Sequence, residues 1–528
     1  MNRTLISLVA AVAGLGALTG AATLRGDDTD TATLEQRMPV PVERSTLTCP
    51  RPTASESATT WYTAYTPPLA DARDLADGED GDGGSGGASA ALVPAPEYAP
   101  DVSDGTEESD GGEETEGDEE DTEESGDTEP VVPLEETGIP VTTDVDGPDG
   151  PALTGTAEGA LAPGWTVQQT TRLTGSADHG VLGTSCQTPD TEFWFAGAST
   201  AGSRRDYVHL TNPDPAGTVV DIELYGPEGP IESETAQNIS VPGGTTVPVR
   251  LGSLTEAEVP ALAVHVTART GRIGAQVEAV DATGGADWLP PSDAPDDTLV
   301  IPGIPANARS ARLVAFTPAE EDVVLDVGLA GATGTITPAG HETIDVKAGT
   351  VTAVDLGSLT QDEAGSLVLS RASRTGSGPV FAALQVTLGG PDEDDPTELA
   401  FIPVTGPVDT RATVSGNTAS GTALTLVAPD EAVEATVTIS AGAGGGEPVT
   451  ESYTVDGRTT LEIRPELPDG TDGPYALTVA TSDGPLYAAR VLTMGDEDAP
   501  EFTVQTLTDD RSTVAVPDTE EDLAVLTD

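Results

Sequence analysis

Residues Asn238–Thr255 read NISVPGGTTVPVRLGSLT, and residues Glu342–Thr360 read ETIDVKAGTVTAVDLGSLT. The closing LGSLT returns 105 positions later (251 to 356), and an upstream pair, YVHLTNP (Tyr207–Pro213) and RLVAFTP (Arg312–Pro318), keeps the same offset. Between these anchors lie VVDIELYG (Val219–Gly226) and VVLDVGLAG (Val323–Gly331). Separated matches in one register mark a duplicated unit. A weaker third copy follows in LTLVAPD (Leu424–Asp430), VEATVTISA (Val433–Ala441), YTVDGRTTLEI (Tyr453–Ile463) and YALTVATSDGPLYAARVLT (Tyr475–Thr493), without the LGSLT corner.

Each copy consists of short alternating apolar stretches rich in Val, Thr and Leu, separated by Gly, Pro, Asn or Asp. That pattern predicts an all-β chain of tandem immunoglobulin-like sandwiches, seven strands per copy. Ser253 with Glu256 and Ser358 with Gln361 have capping-box spacing, which predicts one helical turn at each corner. A short apolar strand ending near proline precedes the second and third copies, at TLVIPGIP (Thr298–Pro305) and LAFIPVTGP (Leu399–Pro407). TEFWFAGA (Thr191–Ala198) holds that place before the first copy, and PEFTVQTL (Pro500–Leu507) follows the third. In a strand, Phe193 and Phe195 face one side and Trp194 the other, so part of this cluster is core or interdomain packing.

Composition narrows the function classes. The chain has 528 residues, enough for several domains, and a formal charge of −68, with Lys347 its only lysine. Nucleic acid is excluded as a partner, since phosphate neutralisation requires clustered Lys and Arg. After Arg3 an uncharged run extends from Thr4 to Leu24. It reads as a signal peptide or a membrane anchor, and either one exports the body. Sixteen of the thirty residues Asp101–Pro130 are Asp or Glu and none is basic, so residues 67–150 read as a disordered acidic insertion. Its GGSGG (Gly83–Gly87) lacks the strand and helix of a nucleophile elbow.

The expected organisation is therefore a targeting segment (1–25), a linker and strand piece packing on the first β lobe (26–66), the acidic insertion (67–150) and the rest of that lobe (151–200). Three sandwich copies (201–298, 299–398, 399–505) and a C-terminal strand with an acidic tail (506–528) complete it.

His179, His209, His265 and His341 are dispersed with no HxH or HExxH spacing, and the reading assigns no catalytic, cofactor or metal residue. Trp194, Trp61 and Tyr65 are the candidates for contact with a glycan or protein partner. Cys49 and Cys186, the only cysteines, are expected to pair in an oxidising compartment.

The segments MNRTLISLVAAVAG, PVERSTLTCP, APGWTVQQT, CQTPDTEFWFAGAS, DYVHLTNPD, LVIPGIP and LTDDRSTVAVP together resemble an actinobacterial family of exported proteins known as domain of unknown function 5719. The resemblance implies a secreted or membrane-tethered envelope protein and no particular reaction. Two expectations follow. The first is a non-catalytic exported scaffold or binding module with an envelope protein or glycan as partner. The alternative is an enzyme or accessory factor of envelope polysaccharide metabolism.

Overall fold

A computed structural model describes residues 39–69, 88–98, 129–175, 179–282, 284–295, 297–360, 362–372, 376–389, 397–482, 484–496 and 499–515. The targeting segment expected at 1–25 lies outside the described residues. Among the described residues there is no α-helix, and no helix is long and apolar enough to cross a membrane.

The chain divides into two units. The smaller contains a ribbon in which Pro39–Pro41 pairs antiparallel with Thr513–Ala515. The larger, Val42–Ser512, contains four β-sandwiches, I to IV, spanning 44–185, 192–289, 298–403 and 411–507. In every sandwich one sheet has the strand order first–sixth–third–fourth and the other fifth–second–seventh–eighth. In II and III the fourth strand is split into two short pieces, both paired with the third. The second–fifth and third–sixth ladders are those of an immunoglobulin-like sandwich. Here the seventh strand pairs with the second rather than the sixth, and an eighth strand extends its sheet.

Alternation explains which strands face solvent. The third strands of II, III and IV (Thr218–Gly226, Val323–Gly331, Val433–Ile439) bury every second residue, as expected with one face on a core. First and eighth strands such as Thr298–Ile304 and Thr397–Pro403 are buried on both faces, and their sequences are mostly apolar. They lie between layers. This corrects one boundary: TEFWFAGA and TLVIPGIP open II and III, but LAFIPVTGP closes III instead of opening IV. A first and an eighth strand share the same two-sided burial, so composition alone does not separate them.

Leu251 and Leu356 both lie in their cores at the corner between the fifth and sixth strands. A single 3-10 turn forms at Leu251–Ser253, without the expected capping box: the Ser253 hydroxyl donates to the Arg250 carbonyl (2.7 Å). In III the fifth strand continues through Gly357 and no turn of helix follows.

The segment 67–150 also needs revision. Strands Ser89–Ala95, Val132–Leu134 and Val141–Asp146 fall inside it and are the third, fourth and fifth strands of sandwich I. Leu92, Val132 and Leu134 are buried in its core, so these short apolar pieces among acidic runs are structural.

The sandwiches close on one another. The eighth strands, His179–Ser185, Gly285–Leu289, Thr397–Pro403 and Ala499–Leu507, pack I on II, II on III, III on IV and IV on I. Apolar seams join I to II (Ala58, Leu173 and Leu182 against Ala286 and Trp288), II to III (Trp194, Ala196 and Ala263 against Val314 and Phe316) and III to IV (Val300 and Ala330 against Val427 and Tyr487). The closing seam, IV to I, is polar. Ser415 Oγ donates to the Thr63 carbonyl (2.6 Å), and Arg411 reaches the Pro163 carbonyl (3.3 Å) while paired with Asp510 (2.6 Å). The chain ends of this unit meet where Val42 N donates to Ser512 O (2.9 Å).

Cys49 and Cys186 are bonded, with Cα atoms 4.4 Å apart and 137 positions between them. The bridge joins the end of the first strand of sandwich I to the residue after its eighth, within one core. It therefore closes sandwich I on itself and does not tie it to the strand carrying Phe193–Phe195. Replacing both cysteines by serine is expected to cost about 3–5 kcal/mol, read from chemical denaturation against the oxidised protein. Deleting residues 70–150 is expected to abolish cooperative unfolding of sandwich I, measured by calorimetry, because it removes three of its strands.

Candidate functional site: the axial carboxyls and the seams

The four eighth strands contact one another in turn, and buried polar groups lie among them. Asp287, on the eighth strand of II, is fully buried. Its Oδ1 accepts from Gly183 N of sandwich I (3.0 Å), and Thr503 Oγ1 of sandwich IV donates to both oxygens (3.1 and 3.2 Å). The backbone N–H groups of Trp288 and of Phe401 in sandwich III also bond it. One carboxyl thus gathers donors from all four sandwiches. Burial still pushes its pKa well above the ordinary carboxylate value, against the pull of those donors.

Glu398, on the eighth strand of III, lies beside it and is 1% exposed. Val181 N of sandwich I donates to Oε1 (3.0 Å), whereas Oε2 has no hydrogen-bond partner. His179 Nε2 lies 4.0 Å from Oε2. Two glycines make this packing fit. A Cβ on Gly180 (φ +131°) would sit 2.0 Å from Glu398 Oε1, and one on Gly285 (φ +86°) 2.6 Å from Oε2. Burial pushes the Glu398 carboxyl up to about 10; Val181 opposes this and the charges of Asp287 and Glu501 add to it. At the rim, Arg172 of sandwich I holds Glu501 of sandwich IV through Nε (2.6 Å) and Nη2 (3.3 Å).

Other charged groups are held within sandwiches at the seams. Arg204 pairs with buried Asp206 (3.0 and 2.9 Å), whose carboxyl burial pushes up to about 6 although Arg204 opposes it. The Arg204 guanidinium also lies 5.4 Å over the Phe401 ring of the next sandwich. Arg490, fully buried in IV, donates to the Ser415 carbonyl (2.8 Å) and to the Gln505 side chain, and burial pulls its pKa down.

The sequence candidates divide. Phe193 and Phe195 enter the core of II and Trp194 the II–III seam, as strand alternation implies. Trp194 stacks on His265 (3.9 Å), Phe381 (4.6 Å) and Phe316 (5.4 Å), and its Nε1 donates to Glu192 (2.9 Å). Both ring faces are covered, so Trp194 is corrected from a glycan contact to interdomain packing. Tyr65 is likewise buried and bonds Thr478 across the closing seam. Trp61 alone of the three is half-exposed. His209 contacts Glu278 (3.2 Å) and the edge of Trp288 at the I–II seam; His265 lies between Glu192 (2.9 Å) and Glu223 (2.8 Å).

Asp287 and Glu398 escaped the sequence reading because they are two among 90 acids. The available signal was one acid inside an otherwise apolar strand, in GADWL and TELAFIP.

Residues 141–466, more than half of the chain, match the family described as "Family of unknown function (DUF5719)". The chain belongs to this family. The DUF5719 match begins at the fifth strand of sandwich I and ends just past the fifth strand of IV, so it includes parts of all four sandwiches and both axial carboxyls. No curated protein matches the chain, and no solved structure does.

Trp194→Ala is expected to lose about 3–5 kcal/mol of stability through the cavity it opens. Trp61→Ala should change stability by far less, and paired urea titrations would show the contrast. Gly285→Ala is expected to destabilise the ring beyond the ordinary cost of strained backbone, since its new methyl group overlaps Glu398.

Proposed function

We propose that this DUF5719 protein is an exported, non-catalytic scaffold of the cell envelope, presenting the outer edges and loops of a closed ring of sandwiches to an envelope protein or glycan. The observation that carries this reading is where the strongly perturbed groups lie. Asp287, Glu398 and Asp206 are the carboxyls raised by burial most clearly, and each is engaged in holding strands or sandwiches together. Perturbed carboxyls in an active site ordinarily line a cleft that admits substrate. The disulfide supports an oxidising, extracytoplasmic compartment. The apolar run Thr4–Leu24 supplies the export signal in this reading, as a cleaved peptide or as a tether. Packed sandwiches suit display, because they position loops and sheet edges for a partner.

The test uses the oxidised full-length protein, incubated with purified cell-wall polysaccharide and peptidoglycan. Co-sedimentation with an unchanged number of reducing ends is the expected outcome. Release of reducing ends that scales with protein concentration would overturn the scaffold in favour of an enzyme of polysaccharide metabolism.

A further inference from the structure

We propose that the axial carboxyls make closure of the ring depend on a retained proton, so that the four sandwiches tighten in acid and loosen at the IV–I seam in alkali. This inference goes beyond the scaffold reading and does not depend on it.

Glu398 Oε2 is buried without a hydrogen-bond partner. An ionised oxygen in that position would be desolvated and uncompensated, whereas a protonated carboxyl carries no charge there. Sandwich I contributes His179, 4.0 Å from Oε2, while its Arg172 pairs with Glu501. Sandwich II contributes Asp287. Sandwich IV contributes Glu501. Burial is the largest cause opposing ionisation of Glu398, and Asp287 and Glu501 add to it, in keeping with its elevation to about 10.

Below about pH 4.5 the folded and unfolded chains both carry this proton, and its contribution is complete. Between there and about 10 only the folded chain keeps it, so stability falls as pH rises. One such group changes the folding equilibrium by up to about tenfold per pH unit in that window. The IV–I seam is the place to yield. It is joined by hydrogen bonds such as Ser415 to Thr63, whereas the other three seams bury apolar clusters and are spanned by continuous chain.

Denaturant unfolding of the oxidised protein is measured between about pH 5 and about pH 9 for the wild type, Glu398→Gln and Glu501→Gln. General acidic repulsion also favours low pH, so the comparison among variants decides. The wild type is expected to lose stability as pH rises and Glu501→Gln to keep that slope. Glu398→Gln should flatten it by about one proton. Amide hydrogen exchange around Thr63 and Ser415 is expected to accelerate at high pH in the wild type but less in Glu398→Gln. An equal slope in Glu398→Gln and wild type overturns the proposal. Infrared spectroscopy of the wild type gives a check that no variant's folding can confound: a protonated-carboxylic carbonyl band is expected at neutral pH, and its absence overturns the proposal.

Discussion

Asp287 is bonded from all four sandwiches at once, and the rest of the larger unit is arranged around that fact. Its donors come from the eighth strand of I at Gly183, from III at Phe401, from IV at Thr503 and from its own strand at Trp288. A carboxyl in such a place imposes a geometric condition. Four strands must approach one line closely enough to share it, and glycines on two of them, Gly180 and Gly285, allow the neighbouring Glu398 to fit as well. Removing one partner from a buried polar network leaves the others uncompensated, which ties the four sandwiches into one closure.

The seams divide the work unevenly. Three of them bury apolar clusters, and the densest places Trp194 among His265, Phe316 and Phe381. Burial of this kind is strong and non-directional. The closing seam instead uses directed bonds from Ser415, Arg411 and Tyr65, next to the point where Val42 and Ser512 meet. Directed bonds fix register where no linker connects the two partners, and they respond to electrostatics in a way that a hydrocarbon contact does not.

The sequence showed the repeat plainly because strand alternation and turn residues are local properties. The LGSLT corner, the alternating third strands and the opposite facing of Phe193 and Trp194 were all legible in this way. The pairing of Cys49 with Cys186 followed from number and compartment alone. Sandwich I was obscured because its third to fifth strands are embedded in acidic sequence that dominates any average taken over the region. The eighth strands were misplaced because a strand buried on both faces reads alike at either end of a sandwich.

By itself, then, the chain specified what most short segments outside the acidic region are: which residues form strands, which side of a strand is apolar, and that the unit is repeated. Tertiary structure decided what those segments meet. Ring closure, the covering of Trp194 and the sharing of Asp287 and Glu398 are set by contacts between residues a hundred or more positions apart, such as Gly183 with Asp287 and Val181 with Glu398. A carboxylate on a solvated loop and one on the axis have the same side chain. Only the packed strands around it determine whether that side chain keeps its proton.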